Sequence, residues 1–405
     1  MYSFLDEAAC KLDIRYGGCG SVKTVYHLLD EREIFSEING GAISRWAANA
    51  LREGDEVIIC PSFDGSYGFP IERLYELPRW SSVGSVHPVI YRSPFLLQKW
   101  VYTYLFQDLL RKVKSGDVVY VHNRPACAAA LATLADKYGI QVVLHMHNSM
   151  LLQANGGQHR ALRRTPIVFC SEFLRKEAVT ALPNQFEKTH VVYNGADDVR
   201  FRLPNRDRNS VPTVIFTGRL VPYKGVHVLL EAMRILEKKG IAAKGQIVGS
   251  SGFGNSKGTK YTRKLEQLKP NNTELVGYKS GDALAEMLQN ANIFCCPSIW
   301  NDPFPLAPLE AMATGLPVVA SNVGGIPEAL AYGGGLLVPP NNPEALAEAL
   351  TKLIEDVAYR EEMGLRGYAS YLDHFVWDKV RDQYQQVIQE VSAEDISRIT
   401  TASRA

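Results

Sequence analysis

The stretch that most constrains this chain runs from Ser298 to Glu328. It holds two carboxylates, Asp302 and Glu310, eight positions apart, with the apolar block Phe304 to Leu309 between them. Ala311, Met312 and Ala313 after Glu310 are good helix formers. Gly315, with Pro317 behind it, is a helix stop. Pro317 to Ser321 reads as a short buried strand. The loop Gly324-Gly325-Ile326-Pro327-Glu328 follows, with Pro327 suited to the first turn of another helix.

The spacing predicts a loop that enters a helix at about Leu306, with one carboxylate before the helix and one inside its first turns. A helix N-terminus offers free N–H groups and partial positive charge, which suit a phosphate. Ionised carboxylates only accept hydrogen bonds, so they suit sugar hydroxyls. An anion flanked by hydroxyls describes a nucleotide sugar. The competing reading is a surface helix with ordinary exposed acids.

The chain has 405 residues, enough for two domains with separate cores. Its net charge of +1 creates no field that would draw nucleic acid, so no nucleic-acid partner is expected. Seven cysteines, an odd and scattered set without a C-x-x-C pair, fit buried thiols in a reducing compartment better than disulfides or zinc. With no apolar run of spanning length and no signal-peptide core at the start, the expected place is the cytoplasm, free or peripheral on the cytosolic membrane face.

Along the chain, residues 1–21 read as an extension without catalytic role; a phosphate loop at Gly17 to Gly20 would need a better strand before it. Val22 to Leu29 is a good first strand. Gly40 and Gly41 open an amphipathic helix, Ala42 to Leu51, and a strand follows at Glu56 to Cys60. Paired glycines in a βαβ turn let backbone approach a ligand, although they also simply start helices.

Tyr91 to Lys114 is aromatic and basic. Arg92, Lys99, Arg111, Lys112 and Lys114 face only Asp108. The stretch reads either as an interfacial helix for anionic lipid or as a half-buried helix with a solvated basic end. Arg160, Arg163 and Arg164 form a second basic cluster. Strands at Asp117 to His122 and Gln141 to Asn148 flank an Ala-rich helix, Ala126 to Lys137. They leave three histidines, His122, His145 and His147, at strand ends, where α/β proteins place ligands.

A polar linker, Arg206 to Pro212, precedes a second βα series. It runs through strand Thr213 to Thr217, loop Gly218 to Gly225, helix Val226 to Lys238, and strands at Gln246 to Gly249 and Thr273 to Gly277. Arg219 and Lys224 put a fork-shaped donor and a point charge on a tight loop at a strand's carboxyl end, where a diphosphate could sit. The last helix, Val376 to Val391, is expected to return to the first domain, with 392–405 frayed.

Taken together, the acid–x7–Glu spacing, Ala-Met-Ala, Gly-Leu-Pro-Val-Val and Gly-Gly-Ile-Pro-Glu resemble the signature of retaining glycosyltransferases of family 4. Gly218-Arg219-Leu220 to Lys224-Gly225 resembles that family's diphosphate clamp. The resemblance covers about residues 22 to 390 and is sharper in the second half. Two positions depart from it. Asp302 stands where Glu is usual, and Pro305 replaces a common Gly and removes an N–H.

The resemblance implies an α/β GT-B fold, two Rossmann-like domains across a cleft. Residues 22–205 would form the acceptor domain, 206–375 the donor domain, and 376–405 a crossover helix and tail. It further implies that Arg219 and Lys224 neutralise the diphosphate and that Glu310 holds the ribose hydroxyls. Asp302 and His147 would grip the donor hexose, with the N–H groups of Phe304 and Leu306 assisting. Gly40 and Gly41 would lie near the donor phosphates and the acceptor, and Gly277 and Tyr278 near the base.

The expected function is retaining transfer of a hexose or N-acetylhexosamine from a nucleotide sugar, UDP-linked by preference. The acceptor would be a glycan or glycolipid of the cell envelope, such as lipopolysaccharide, and an anionic membrane a peripheral partner. No Asp-x-Asp motif accompanies the two fixed cations, so no cofactor and no metal are expected. The alternatives are an epimerase or small-glycoside transferase of the same fold, and a non-catalytic sugar-nucleotide-binding subunit.

Overall fold

The computed structural model describes residues 24–29, 34–35, 41–51, 56–60, 62–63, 70–73, 93–204, 211–252 and 258–402, with 394–402 as backbone alone. The expected extension at 1–21, Gly40, Arg92, the boundary at 206 and the centre of the loop after Ser250 lie outside the described residues.

Two parallel sheets organise the chain. The inner strands of each are short runs rich in Val, Ile and Phe that are buried on both faces, as strands covered by helices on either side must be, while the outer strands are only partly covered. The second sheet has six strands. In spatial order they are Thr273–Gly277, Lys244–Val248, Thr213–Thr217, Ile293–Cys296, Val318–Ser321 and Gly335–Val338. Numbered along the chain, this is the doubly wound order 3-2-1-4-5-6, which reverses between Thr213–Thr217 and Ile293–Cys296.

The first sheet has seven strands with the same reversal. Ile71–Arg73, Glu56–Cys60 and Val25–Leu28 lie on one side of it, and Val118–His122, Gln141–Met146, Ile167–Phe169 and Thr189–Val191 on the other. Loops leaving the carboxyl ends of strands at such a reversal diverge and leave a crevice. Gly218 to Gly225 and Pro297 to Pro305 are the two loops that do so in the second sheet.

Helix Leu306–Ala313 starts where expected, and Gly315 follows it in left-handed conformation, φ +68°. The Ala-rich helix differs from its expectation. It is two pieces, Pro125–Ala132 and Ala135–Tyr138, broken at Thr133 and Leu134. The hydroxyl of Thr133 donates to the Ala130 carbonyl, a local bond that competes with the helix ladder.

The last helix is longer than expected, Trp377–Ala402, so 392–402 is helical backbone rather than a frayed tail. It does return to the first sheet. Trp377, Val380, Tyr384, Val387 and Ile388 share a buried cluster with Trp46, Ala47 and Ala50 of helix Ala42–Ala50. The five cysteines among the described residues are free and buried.

Candidate active site

The reversal of the second sheet gathers most of the expected residues. The turn Pro222–Lys224 ends at Gly225, φ +71°, where a Cβ would lie 1.8 Å from the Pro297 carbonyl oxygen. Only glycine lets the two diverging loops approach this closely. The approach puts Lys224 against Asp302, and the two form an ion pair that is mostly shielded from solvent.

Asp302 is fixed from the other side. The Gly325 N–H donates to its carbonyl at 2.8 Å, and a Cβ on Gly325 would fall 1.9 Å from the Pro303 carbonyl oxygen. The paired glycines of the Gly-Gly-Ile-Pro-Glu loop therefore act through backbone contact with the Asp302 loop.

A cleft of about 200 Å³ opens at the same reversal, and neither Lys224 nor Asp302 lines it. Arg219, Tyr278, Leu306 and Glu310 line it together with Arg45 and Arg200 of the first half. The exposed Arg219 guanidinium lies over the Tyr223 ring, 5.7 Å from its centroid. Glu310 is buried, and its Oε1 accepts from Arg45 Nη1 at 2.9 Å. Burial pushes the Glu310 carboxyl above the usual carboxylate range, with Arg45 pulling it back.

Arg45 is a site residue that the sequence reading missed. It stands one turn into the helix that Gly41 caps, and its N–H bonds the Gly41 carbonyl at 3.1 Å. Nothing in the local spelling separates it from a surface arginine.

Phe304 and Gly277 adjoin cleft-lining residues without lining the cleft themselves. Phe304 packs its ring on Tyr193, centroids 5.0 Å apart, and its carbonyl accepts from Asn194 Nδ2 at 3.0 Å. Gly277, φ +85°, ends its strand and accepts from the Gly249 N–H at 2.8 Å. Within the expected clamp, Lys224 is held by Asp302 in a largely shielded ion pair, while Arg219 stands exposed over Tyr223.

Glu328, which the sequence reading gave no role, ties the halves together. It accepts from the N–H groups of Glu172 and Phe173, the first turn of helix Glu172–Ala181. A carboxylate at a helix N-terminus is stabilising there.

His147 contacts none of these groups. It belongs to a buried ring cluster with His27, His122, His145, Trp46, Tyr120 and Tyr384. Burial pulls both His27 and His147 down to about 3 and holds His122 and His145 well below the usual histidine value, so all four rings are neutral. Possible ligating nitrogens of His122, His145 and His147 lie within 4.8 Å of one another, the one such group among the described residues.

Residues 43–200 match the family described as Glycosyltransferase Family 4, and residues 200–370 match Glycosyl transferases group 1. Among similar proteins, spore coat protein SA of Bacillus subtilis is 26% identical over 297 residues, 68% of this chain and 78% of that protein. A putative colanic acid biosynthesis glycosyltransferase of Salmonella typhimurium, WcaL, is 34% identical over 174 residues, 41% of this chain and 42% of that protein. Anabaena HepE, solved in complex with UDP and glucose, superposes with a TM-score of 0.68 at 19% identity, over 91% of this chain and 99% of that one.

Proposed function

The chain belongs to the GT-B glycosyltransferases, family 4 in its first half and group 1 in its second, and from that premise we propose that it transfers a hexose or N-acetylhexosamine from a UDP-sugar, with retention, to a hydroxyl of a cell-envelope glycan or glycolipid. The observation that carries the reading is the cleft at the sheet reversal, lined by Arg219 and Glu310, with the Lys224–Asp302 pair on the two loops that carry Arg219 and lead to Glu310. Arg219 and Lys224 take the diphosphate, with Asp302 giving up Lys224 to the stronger anion and turning to a sugar hydroxyl. Fixed cations that meet charge as it develops on the leaving group are the largest contribution such a site can make.

Glu310 offers its remaining lone pairs to the ribose while Arg45 holds one oxygen. The N–H of Leu306, in the first turn of its helix, faces the phosphates. The acceptor oxygen attacks on the face that the leaving group departs from, and a phosphate oxygen takes its proton. No protein nucleophile and no metal enter this scheme. The UDP and glucose bound by HepE and the colanic acid assignment of WcaL support the donor and the envelope acceptor.

Thermal melts with UDP, GDP and ADP and their common sugars test this. UDP species are expected to stabilise by about 2.7 kcal/mol at a hundredfold excess over Kd. The shift should be the same with EDTA present. A preference for GDP or ADP would change the donor, and loss of the shift in EDTA would overturn metal independence.

The acceptor side carries an apolar helix face. On Phe95–Leu105, Leu96, Leu97, Trp100 and Tyr104 are exposed, Leu96 by 80% and Trp100 by 67%, while Gln98, Val101 and Tyr102 face the core. The basic end is more balanced than the sequence suggested, because Lys112 pairs with Glu72 at 2.8 Å and Arg111 with Asp108 at 2.8 Å. Both are solvent-exposed pairs of small worth, and Lys114 is exposed beside them. We read this face as seating on an anionic lipid surface that presents a lipid-linked acceptor.

No helix among the described residues is long and apolar enough to cross a membrane. The chain is expected to co-sediment with phosphatidylglycerol vesicles, with a blue shift of Trp100 emission. A Leu96→Ser/Trp100→Ser variant should stay in solution, and equal sedimentation of the two proteins would remove the surface from consideration.

A further inference from the structure

The strands on either side of the first sheet's reversal bring His27 and His122 together, and a chain of hydrogen bonds passes through them. Tyr384, on the returning C-terminal helix, donates its hydroxyl to Glu56 Oε1 at 2.8 Å. Its oxygen lies 3.0 Å from His27 Nε2. His27 Nδ1 is 3.2 Å from His122 Nε2, and His122 Nδ1 is 3.4 Å from His147 Nε2. Glu56, Tyr384, His27 and His122 are all buried, and the chain ends at His147.

Counting protons gives the chain a direction. A carboxylate only accepts, so the phenol's proton goes to Glu56 and the phenol oxygen accepts from His27 Nε2–H. A neutral imidazole has one N–H and one lone pair. His27 Nδ1 must therefore accept from His122 Nε2–H, and His122 Nδ1 from His147 Nε2–H. What remains at the end is a bare lone pair on His147 Nδ1. That nitrogen is buried and has no protein partner among the described residues.

We propose that Glu56, Tyr384, His27 and His122 are positioning residues that lock His147 in its Nε2–H tautomer, so that Nδ1 accepts a hydrogen bond from a hydroxyl of the donor sugar. The sugar contact rests on the reading of His147 given above; the tautomer does not. Because Tyr384 rides on the helix Trp377–Ala402, docking of that helix on the first sheet sets which nitrogen of His147 is left as an acceptor. His145 lies outside the chain. Its Nδ1 meets the Tyr120 hydroxyl at 3.2 Å, and its ring stands edge-on to Trp46 with centroids 4.9 Å apart. A metal held by His122, His145 and His147 would need a His122 nitrogen, and both already serve the chain.

The test uses the full chain with 15N-labelled histidine, whose ring shifts distinguish the tautomers. Among the nine histidines, His147 is identified by the signal lost in His147→Asn. The wild type should show a protonated Nε2 and a bare Nδ1. Glu56→Gln keeps the side chain's size but adds an amide that also donates, so the direction is no longer imposed. His147 should then average between tautomers, and KM for slow hydrolysis of UDP-glucose should rise about tenfold, the worth of one hydrogen bond, with kcat less affected.

A protonated Nδ1 in the wild type, or unchanged His147 signals in both Glu56→Gln and Tyr384→Phe, would overturn the proposal. So would stoichiometric Zn²⁺ moving His122, His145 and His147 together, which would make the cluster a metal site. Titration with UDP-glucose and UDP-N-acetylglucosamine separates the two parts. An Nδ1 signal that moves on binding supports the sugar contact. One that stays still while the melt shifts overturns that contact and leaves the tautomer lock standing.

Discussion

Replacing Lys224 by Ala is expected to lower kcat/KM for donor turnover by roughly a hundred- to a thousandfold, the usual cost of removing a group that meets developing charge. The structure adds a second consequence. Asp302, itself buried, would lose its ion-pair partner, and an uncompensated carboxylate there is expected to cost about 3 kcal/mol of stability. Melting curves and kinetics on Lys224→Ala and Lys224→Ala/Asp302→Ala separate the two effects. The double variant should recover much of the melting temperature and none of the activity. Arg219→Ala should leave the melt unchanged, since Arg219 is exposed, and reduce turnover by tens to a hundredfold. Full activity in Lys224→Ala would remove the clamp from the mechanism.

Stability should also fall steeply with mild acid. His27 is fully buried with its ring held down to about 3, against about 6.5 in the unfolded chain. Between those values the unfolded state binds the proton and the folded state does not, so stability is intact above 6.5 and drains as pH falls toward 3. His27 alone should cost about 2 kcal/mol at pH 5. His122 and His145, buried and depressed with it, act in the same direction. Glu310 and Glu328, both raised by burial, oppose this just above their unfolded value near 4.5, where the folded state takes up the proton first. Urea unfolding at pH 7.5, 6 and 5 measures the balance. Equal midpoints across the series would mean that the rings take up protons without unfolding the cluster.

Both predictions rest on contacts that the one-dimensional spelling could not supply. The alternation of short apolar runs with helical periodicity was enough for two parallel sheets, because buried strands and amphipathic helices follow from local hydrophobicity alone. The spacing from Asp302 to Glu310 and the stop at Gly315 located the helix Leu306–Ala313 for the same reason. Caps, breakers and periodicity act over a few residues, so local order carries them. The break at Thr133 was missed because an Ala-rich run carries no strong stop, and the choice between a continued helix and a turn was made by a single side-chain bond.

The sequence by itself determined the class of fold, the two loops that meet at the second sheet's reversal, and the charged residues on them. Tertiary structure decided how those charges are spent. Lys224 reaches Asp302 because Gly225 lets its loop touch Pro297. Glu310 meets Arg45 across 265 positions, Glu328 caps a helix 156 positions away, and His27 meets Tyr384 across 357. An ion pair or a hydrogen bond forms over a few ångströms and depends on which strand ends adjoin. That adjacency comes from sheet order, which no local pattern records.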